Sequence, residues 1–266
     1  MDKKELEEFK LQEDFSKQIG DYNNNEIVNL QICRPLVELY KNPDKRIKGN
    51  TPSGDFWEIL NAQINLNPFQ PFLNIFRDFK KDYLEKEHKW YLSQSLSVNG
   101  YMDGIKIWDF CSSKDGKKMI NSNYGNLVFS DENGNQFDYC LNRLKYNKET
   151  REAMIIFTRP SIQWECEEHG KHDFICTNYY HFFIRENKLE MILSQRSCDS
   201  LTGAPYDFAW ACYVYQLMYS KLLETYSDLN TGLIHWNIDS LLDVCISLVF
   251  SCALSDKTFY SASVKI

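Results

Sequence analysis

The sequence lacks the features that mark a membrane protein, a secreted protein or a protein that coats a nucleic-acid polymer. It has no excess of positive charge, since its net charge is −7 over 266 residues, and phosphate polymers are bound by basic surfaces. Its longest apolar stretch, residues 240–254, is interrupted by Asp243 and is too short to cross a bilayer. The first eight residues have no apolar core, so we expect no signal peptide. We therefore expect a cytoplasmic protein whose partners include no membrane and no nucleic-acid polymer, whereas a mononucleotide needs only a few local cations.

The sequence also lacks any C-x-x-C pair among its nine cysteines. An odd number of scattered cysteines without a secretory signal indicates reduced thiols. Most of them should be small buried hydrophobic residues, and one is available as a nucleophile. They are Cys33, Cys111, Cys140, Cys166, Cys176, Cys198, Cys212, Cys245 and Cys252.

No repeat, low-complexity tract or linker divides the chain. With 43% hydrophobic and 15% aromatic residues it can bury a core. We predict a polar N-terminal extension over residues 1–30 and one mixed α and β domain over residues 31–266. Apolar residues at helical spacing predict a helix over 76–96. The strongly apolar stretch 206–226 predicts a helix without a wide water-facing side. We also predict strands over 153–157, 179–184, 189–193 and 233–238 and a buried helix over 241–252.

Two polar segments, residues 173–178 and 195–207, stand among these apolar strands. The first contains Cys176, and the second contains Arg196 and Asp207. A lone cysteine among apolar residues is more often a packing residue than a catalyst. Buried polar groups are costly unless they are satisfied or used, however, and a nearby arginine favours the thiolate. The combination therefore indicates a reactive site.

The order and spacing of these segments resemble the thymidylate synthase and deoxycytidylate hydroxymethylase superfamily. The resemblance covers about residues 83–243 and is densest in 120–125, 157–161 and 173–207. Residues 120–125, 157–161 and 173–178 look more like phage-type deoxycytidylate hydroxymethylases than like thymidylate synthases. The resemblance implies an α+β fold with a central mixed sheet flanked by helices, one face of which forms a homodimer interface.

The resemblance also implies catalytic roles. Cys176 corresponds to the nucleophile that adds to pyrimidine C6. Glu87, three residues before Trp90, corresponds to the glutamate that handles protons and ordered water. Tyr124 corresponds to an active-site tyrosine, and Asp207 stands where thymidylate synthases have an asparagine.

Further positions correspond to binding residues of the family. Arg196 and Ser197 match phosphate binders, and a guanidinium fork suits that task. Arg151 matches an arginine that the partner subunit of a homodimer contributes, and Asp199 matches a residue near the folate and the base. The other binding residues that we predict are Asn178 and Gly203 for the substrate, and Trp90 and Ile266 for the folate.

Asp207 is the residue that points to cytosine. Uracil offers an N3–H donor beside an O4 acceptor, whereas cytosine offers an N3 acceptor beside an N4 amino donor. A carboxyl group accepts from the N4 amino group and shares a proton with N3. We therefore expect a cytosine nucleotide as the substrate.

Some positions depart from the family pattern. Glu152 replaces a second arginine and would repel a phosphate. Leu241 and Asp243 stand where the family has a histidine and a tyrosine that contact the sugar hydroxyl. These changes leave open whether the sugar is deoxyribose or ribose.

The spacing of Cys166, His169 and His172 is similar to that of metal ligands. These residues lie in an acidic stretch with no fourth ligand nearby in the sequence. We therefore predict no metal site.

Three hypotheses about function follow. The first is a homodimeric hydroxymethyltransferase that acts at C5 of dCMP, or second of CMP, with 5,10-methylenetetrahydrofolate as co-substrate. The second is a relative that makes a 5-methylpyrimidine nucleotide and oxidises the folate. The third is a non-catalytic nucleotide-binding dimer of the same fold, against which the presence of Cys176, Glu87 and Asp207 together argues.

Overall fold

A mixed β-sheet of seven strands lies at the centre of the part of the chain that the structure describes. The computed structural model describes residues 47–51, 54–70 and 79–243. The strands are β1 (Ile47–Thr51), β2 (Gly54–Leu66), β3 (Met154–Ile156), β4 (Thr177–Arg185), β5 (Lys188–Gln195), β6 (Cys198–Asp199) and β7 (Asn230–Asp243). Their order is β1-β2-β7-β5-β4-β3, with β6 paired to β7. β7 runs parallel to β5 and β6, and the other pairs are antiparallel.

Helices pack on this sheet and supply the walls of a cavity. They are α1 (Lys81–Ser93), α2 (Lys106–Cys111), α3 (Tyr124–Phe129), α4 (Gln136–Tyr146), α5 (Ile162–Glu165) and α6 (Ala204–Leu223). No helix among the described residues has the length and hydropathy needed to cross a membrane. The predicted α+β class with a mixed sheet and flanking helices is confirmed. The predicted extension over residues 1–30 lies outside the described residues.

The core lies between α6 and one face of the sheet. α6 is apolar around most of its circumference, as a helix buried on several sides must be, and Phe208 of α6 stacks on Trp236 of β7 with ring centroids 5.9 Å apart. Alternate residues of β4, including Tyr180 and Phe182, point into this core and are buried. The intervening residues of β4 lie on the opposite face and are only half-buried.

The structure corrects the prediction at the end of the domain. Residues 241–243, expected to begin a buried helix, continue strand β7. Leu241 pairs with Ile59 of β2 and with Cys198 of β6. A short apolar run does not distinguish a strand from a buried helix, and here the strands on both sides supply the pairing. Residues 244–252 lie outside the described part.

The periodicity also missed some elements. Strand β2 and helices α3 and α4 were not predicted, and helix α1 is shorter than the predicted range of 76–96. α3 has only six residues and depends on its cap, because the side chain of Asn123 accepts from the backbone N–H of Asn126 at 2.8 Å. The Asn123 amide also donates to the carbonyl of Trp90 at 2.9 Å and so ties α3 to α1.

Candidate active site

A cavity of about 850 Å³ lies between α1, α2, the segment before β4 and the start of α6. Residues predicted from the sequence that line it are Glu87, Tyr124, Cys176, Arg196, Gly203 and Asp207. Much of the remaining wall is aromatic or aliphatic: Tyr83, Tyr91, Ile105, Ile107, Trp108, Phe110, Phe174 and Tyr206. A largely apolar cavity with a few converging polar groups is the usual form of a small-molecule site.

Cys176 and Arg196 meet at the ends of neighbouring strands. Cys176 immediately precedes β4 and Arg196 immediately follows β5, and the Arg196 N–H donates to the Cys176 carbonyl at 2.9 Å. A β-bulge between Thr177 and Tyr179 interrupts the pairing next to Cys176, as bulges beside active sites often do to re-aim a side chain. The Arg196 Nη2 lies 3.6 Å from the Cys176 sulfur. The antiparallel pair thus places a cation beside the thiol.

The Cys176 thiol is subject to opposing influences. Burial raises its pKa to about 11, the Arg196 guanidinium lowers it, and the Asp207 and Asp173 carboxylates raise it. The thiol is therefore protonated near neutral pH in the free protein. A ligand that neutralises or screens the two carboxylates would favour the thiolate.

Asp207 lies in the first turn of α6, and one of its carboxylate oxygens is hydrogen-bonded to neighbouring side chains. Its Oδ2 accepts from Gln195 Nε2 at 3.0 Å and from the Cys198 thiol at 3.8 Å. Trp236 Nε1 donates to Gln195 Oε1 at 2.9 Å, which fixes the amide so that its nitrogen faces Asp207. Burial raises the pKa of Asp207 to about 6, against these two donors, which lower it. Within the described residues, both of these hydrogen bonds are made by Oδ2 and none is made by the other oxygen, Oδ1.

Glu87 forms part of a second hydrogen-bonded group. Tyr83, one turn earlier on α1, donates to Glu87 Oε1 at 2.7 Å, and Trp108 Nε1 donates to the Tyr83 hydroxyl at 3.1 Å. Glu87 is only 5% exposed, and burial raises its pKa to about 8. Tyr83 lowers that pKa and the charge of Asp207 raises it. A carboxyl group whose pKa lies near neutrality can exchange protons with water or substrate.

Tyr124 links the cavity to the buried network behind it. Its hydroxyl accepts from Thr177 Oγ1 at 3.1 Å, and Thr177 accepts from Gln195 Nε2 at 3.1 Å. The Tyr124 ring stacks on Tyr91 with centroids 5.4 Å apart. Because Gln195 also bonds Asp207, one connected set of hydrogen bonds holds Tyr124 and Asp207.

Asp173 fixes the segment that leads into Cys176. Its carboxylate accepts from the backbone N–H groups of Asn121 and Ser122 and from the Ser122 hydroxyl, the last at 2.8 Å. Burial raises the pKa of Asp173, and these donors lower it. The carboxylate therefore clamps the strand-like segment before Cys176 to the segment before Tyr124.

Several predicted binding residues lie beside the cavity and do not line it. Ser197 lies between β5 and β6, and Asp199 ends β6. Asp199 Oδ1 accepts from the N–H groups of Leu201 at 2.9 Å and Thr202 at 2.7 Å. Asn178 lies at the bulge of β4 and donates to the hydroxyl of Ser194 on β5 at 3.2 Å.

Trp90 differs from the prediction of a direct folate contact. Its ring is fully buried, and Nε1 donates to the carbonyls of Ser95 at 2.8 Å and Ser97 at 3.1 Å. It meets Trp108 edge-on with centroids 4.8 Å apart. Trp90 therefore supports the wall residue Trp108 from behind. Ile266, the other predicted folate residue, lies outside the described part.

Arg151 lies at the edge of the sheet, just before β3, and its side chain is exposed and does not line the cavity. Its carbonyl lies 3.1 Å from Nε2 of His181 on β4. The neighbouring Glu152 forms an ion pair with Arg143 of α4. This pairing offsets the negative charge that the sequence places next to Arg151.

The stretch with metal-like spacing does not form a cluster. His169 is exposed, whereas the His172 ring stacks on Phe110 with centroids 4.9 Å apart at the cavity wall. Among the described residues, no three histidine, cysteine or acidic side chains are grouped as metal ligands.

Sequence reasoning missed Tyr83, Trp108, Asp173 and Gln195. Tyr83 was detectable, because residues four apart on a helix share a face and Tyr83 stands four before Glu87. Asp173 and Gln195 stand inside the two polar segments but carried no assigned role. Trp108 had no local signal, since only the packing of α2 against α1 brings it to Tyr83.

The sequence is similar to those of known proteins. The family model described as thymidylate synthase matches residues 59–241. The deoxycytidylate 5-hydroxymethyltransferases of Enterobacteria phage T4 and of Enterobacteria phage T2 are each 37% identical to this chain over 175 residues, which is 65% of this chain and 70% of theirs. A thymidylate synthase of Francisella philomiragia subsp. philomiragia is 25% identical over 160 residues, or 56% of each chain.

Proposed function

The chain belongs to the thymidylate synthase family, and from this membership we propose that it is a folate-dependent hydroxymethyltransferase acting at C5 of a cytosine nucleotide. The substrate is dCMP, with CMP second, and the co-substrate is 5,10-methylenetetrahydrofolate. The observation that carries the proposal is that Cys176 and Asp207 line one cavity. The first suits attack on pyrimidine C6, and the second suits recognition of cytosine. Similarity to two phage deoxycytidylate 5-hydroxymethyltransferases supports the same activity.

The environment of Asp207 supports the choice of cytosine. Gln195 and Cys198 donate to Oδ2, so Oδ1 is the oxygen that meets the base. An ionised Oδ1 accepts from the N4 amino group, and a protonated carboxyl shares its hydrogen with N3. Since the pKa of Asp207 is raised to about 6, both forms are accessible near neutral pH. The same carboxyl stabilises the charge that develops on the ring when C6 is attacked.

The residues of the cavity divide the chemistry among them. The Cys176 thiolate adds to C6, with Arg196 beside the sulfur, and C5 becomes nucleophilic. The folate supplies the one-carbon unit that C5 takes up. C5 then loses its hydrogen as a proton, the bond between the one-carbon unit and the folate nitrogen breaks, and tetrahydrofolate leaves, so that an exocyclic methylene remains on the ring. Water adds to this methylene while Glu87 accepts the proton of that water. The bond between C6 and the Cys176 sulfur then breaks, which restores the ring double bond and releases the thiolate.

The wall of the cavity suits a pterin ring. Ile105, Trp108, Phe110 and Phe174 give it an aromatic and aliphatic lining, and a planar heterocycle packs well against such a surface. These residues would hold the folate beside the base, with Trp90 supporting Trp108.

The site restricts the sugar of the substrate, deoxyribose or ribose, less strictly than it restricts the base. Leu241 is fully buried in β7 and does not line the cavity, and a leucine cannot hydrogen-bond a sugar hydroxyl. A site built around a hydroxyl rejects analogues lacking it by ~10⁴-fold or more, whereas an apolar wall rejects an added hydroxyl by only ~10²-fold. We predict activity on both dCMP and CMP, with specificity constants that differ by less than the larger factor.

The proposed enzyme is a homodimer in which Arg151 binds the phosphate in the partner's site. The exposed position of Arg151 outside its own chain's cavity supports this assignment. Glu152, next to Arg151, would repel a phosphate, but its ion pair with Arg143 weakens that repulsion. The half-buried outer face of β4 supplies a surface for the second subunit.

A methylating activity is the second candidate, favoured by the similarity to a thymidylate synthase. The two activities differ in the fate of the folate. When water adds to the methylene, the folate has already left as tetrahydrofolate and is not oxidised, whereas hydride transfer from the folate to the methylene makes a 5-methyl product and dihydrofolate.

The test is an assay of dCMP, CMP, dUMP and UMP, each with 5,10-methylenetetrahydrofolate. The product is identified by mass and dihydrofolate is followed by its absorbance. We expect a 5-hydroxymethylcytosine nucleotide, no dihydrofolate, and no turnover by the Cys176→Ser control, because a serine hydroxyl is far less ionised than a thiol. A 5-methyl product with dihydrofolate would establish the methylating alternative, and a folded protein without turnover would favour the non-catalytic dimer.

A further inference from the structure

The tyrosine beside Glu87 has a geometry that a packing residue does not need. Tyr83 and Glu87 stand one turn apart on α1, and Trp108 reaches Tyr83 from α2; all three line the cavity. The Tyr83 hydroxyl lies 2.7 Å from Glu87 Oε1 and 3.1 Å from Trp108 Nε1. The Tyr83 ring is also held edge-on against Tyr206, with centroids 4.7 Å apart. Two hydrogen bonds therefore fix the hydroxyl, and the contact with Tyr206 fixes the ring.

The direction of these hydrogen bonds follows from the chemistry of the indole. An indole N–H can only donate, so the Tyr83 oxygen accepts from Trp108. The single hydrogen of the Tyr83 hydroxyl is then directed at Glu87. Burial and the neighbouring Glu87 carboxylate raise the pKa of Tyr83 far above its ordinary value, so Tyr83 stays protonated and remains a donor.

We propose that Tyr83 is a positioning residue for the hydration step, holding Glu87 Oε1 so that Oε2 receives the attacking water. This inference rests on the proposed hydroxymethyltransferase function. In that step the water oxygen bonds to the exocyclic methylene carbon, and a proton of the water passes to Glu87. The double bond between C5 and C6 then re-forms as the bond between C6 and the Cys176 sulfur breaks. Tyr83 itself transfers no proton. It orients the acceptor and stabilises its ionised form.

Ionisation of Glu87 is what gives Tyr83 a measurable effect. Burial and the charge of Asp207 both raise the pKa of Glu87, whereas the hydrogen bond from Tyr83 lowers it. Removing a donor to a carboxylate destabilises the charged form and raises the pKa further. Because Glu87 acts as a base in hydration, activity must then require a higher pH.

The experiment compares the wild type with Tyr83→Phe over a range of pH. One assay follows the hydroxymethyl product, and another follows tritium released from C5 of labelled dCMP, which precedes hydration. For Tyr83→Phe we expect the midpoint of the activity profile to rise by about one to two pH units, the size expected from losing one hydrogen bond to a charged group. We also expect product formation to fall about tenfold or more relative to tritium release at neutral pH.

The control is Tyr219→Phe, which removes another buried tyrosine hydroxyl. Tyr219 lies on α6 and does not line the cavity, and its hydroxyl donates to the Leu229 carbonyl at 2.8 Å. It should lose stability but keep the wild-type pH profile and the wild-type ratio of product to tritium. Should Tyr83→Phe fail to fold, Trp108→Phe offers the same test, because it removes the donor that directs the Tyr83 hydrogen; a smaller shift in the same direction is expected.

An unchanged pH midpoint, or an equal loss of product and tritium release, would overturn the role of Tyr83. Failure of the proposed function has a different signature, namely a wild-type protein that gives no hydroxymethyl product. In that case the pKa of Glu87, followed by infrared spectroscopy with Glu87→Gln as the reference, still tests the contact: a pKa that does not rise in Tyr83→Phe would refute it.

Discussion

Single residues in the cavity carry charges that oppose one another. Arg196 favours the Cys176 thiolate, whereas Asp173 and Asp207 disfavour it, and burial disfavours it most. Each buried carboxyl has its own donors: Asn121 and Ser122 for Asp173, and Gln195 for Asp207. Without such donors, burying the ionised carboxylate would cost several kilocalories per mole more. The donors therefore allow a site of mixed charge to remain buried and reactive.

In the proposed function, a single residue, Asp207, decides the preference for cytosine over uracil. Asp207→Asn should shift the preference from cytosine toward uracil nucleotides, because an amide can donate to O4 and accept from N3–H. One unpaired buried group costs ~1–3 kcal/mol, so the ratio of dCMP to dUMP specificity constants should fall by about ten- to a hundredfold. The asparagine can still accept from Gln195, which keeps the support from behind. An unchanged ratio would mean that another group reads the base.

Packing between elements places the proposed catalytic groups. The Cys176 thiol and Arg196 depend on the antiparallel pairing of β4 with β5 and on the bulge in β4. Tyr124 depends on α3, a helix of six residues that crosses α1 at close range. A Cβ atom on Gly125 would overlap the backbone carbonyl of Tyr91 on α1. The close approach therefore requires glycine at this position.

Gly125→Ala tests this helix crossing. Alanine gains up to ~1 kcal/mol of helix propensity, but the clash with a backbone atom cannot be relieved by a side-chain rotation, and overpacking costs ~1–3 kcal/mol. We expect a net loss of stability, measured by denaturant unfolding, and weaker activity because Tyr124 is displaced from Tyr91. Gly203→Ala is the stability control, since its added Cβ would have ordinary contacts of 3.6 Å or more. Equal stability of Gly125→Ala and the wild type would contradict the tight crossing.

At the scale of the whole molecule, the outer face of the sheet carries polar and charged groups as well as apolar ones. His235 of β7 lies 3.1 Å from Glu190 of β5 and 2.8 Å from Asn65 of β2. Phe183 of β4 lies on the same face and is half-buried. Mixed, partly exposed faces of this kind are suited to association between subunits.

The shared site of the proposed dimer predicts complementation between two inactive chains. Cys176→Ser and Arg151→Ala should each have little activity alone. In a mixed dimer, one site has both defects, whereas the other combines an intact Cys176 with an intact Arg151 and regains activity. Activity after unfolding and refolding the two variants together should approach about a quarter of the wild-type level under random pairing. No recovery, with dimers demonstrated by light scattering, would show that Arg151 does not act across the interface.

The sequence by itself determined the groups that are close along the chain. Cys176 lies in one polar segment and Arg196 and Asp207 in the other, and each segment has its own order and spacing, so their chemistry could be inferred before the fold was known. Apolar patterning likewise located strands β4 and β5, because burial of one face imposes a period on the residues. Helix α6 was located by its continuous apolar character, because it is buried on several sides.

Only the tertiary structure decided which distant groups meet. Tyr83 and Glu87 on α1 join Trp108 on α2 and Cys176 before β4 through packing between elements, and no local pattern encodes that meeting. Strand β7 extends to Asp243 because β2 and β6 offer it hydrogen-bonding partners, whereas the same apolar run considered alone fits a helix equally well. Pairing and packing are choices among partners far apart in the chain, and the free energy that decides them comes from contacts that exist only once the chain is folded.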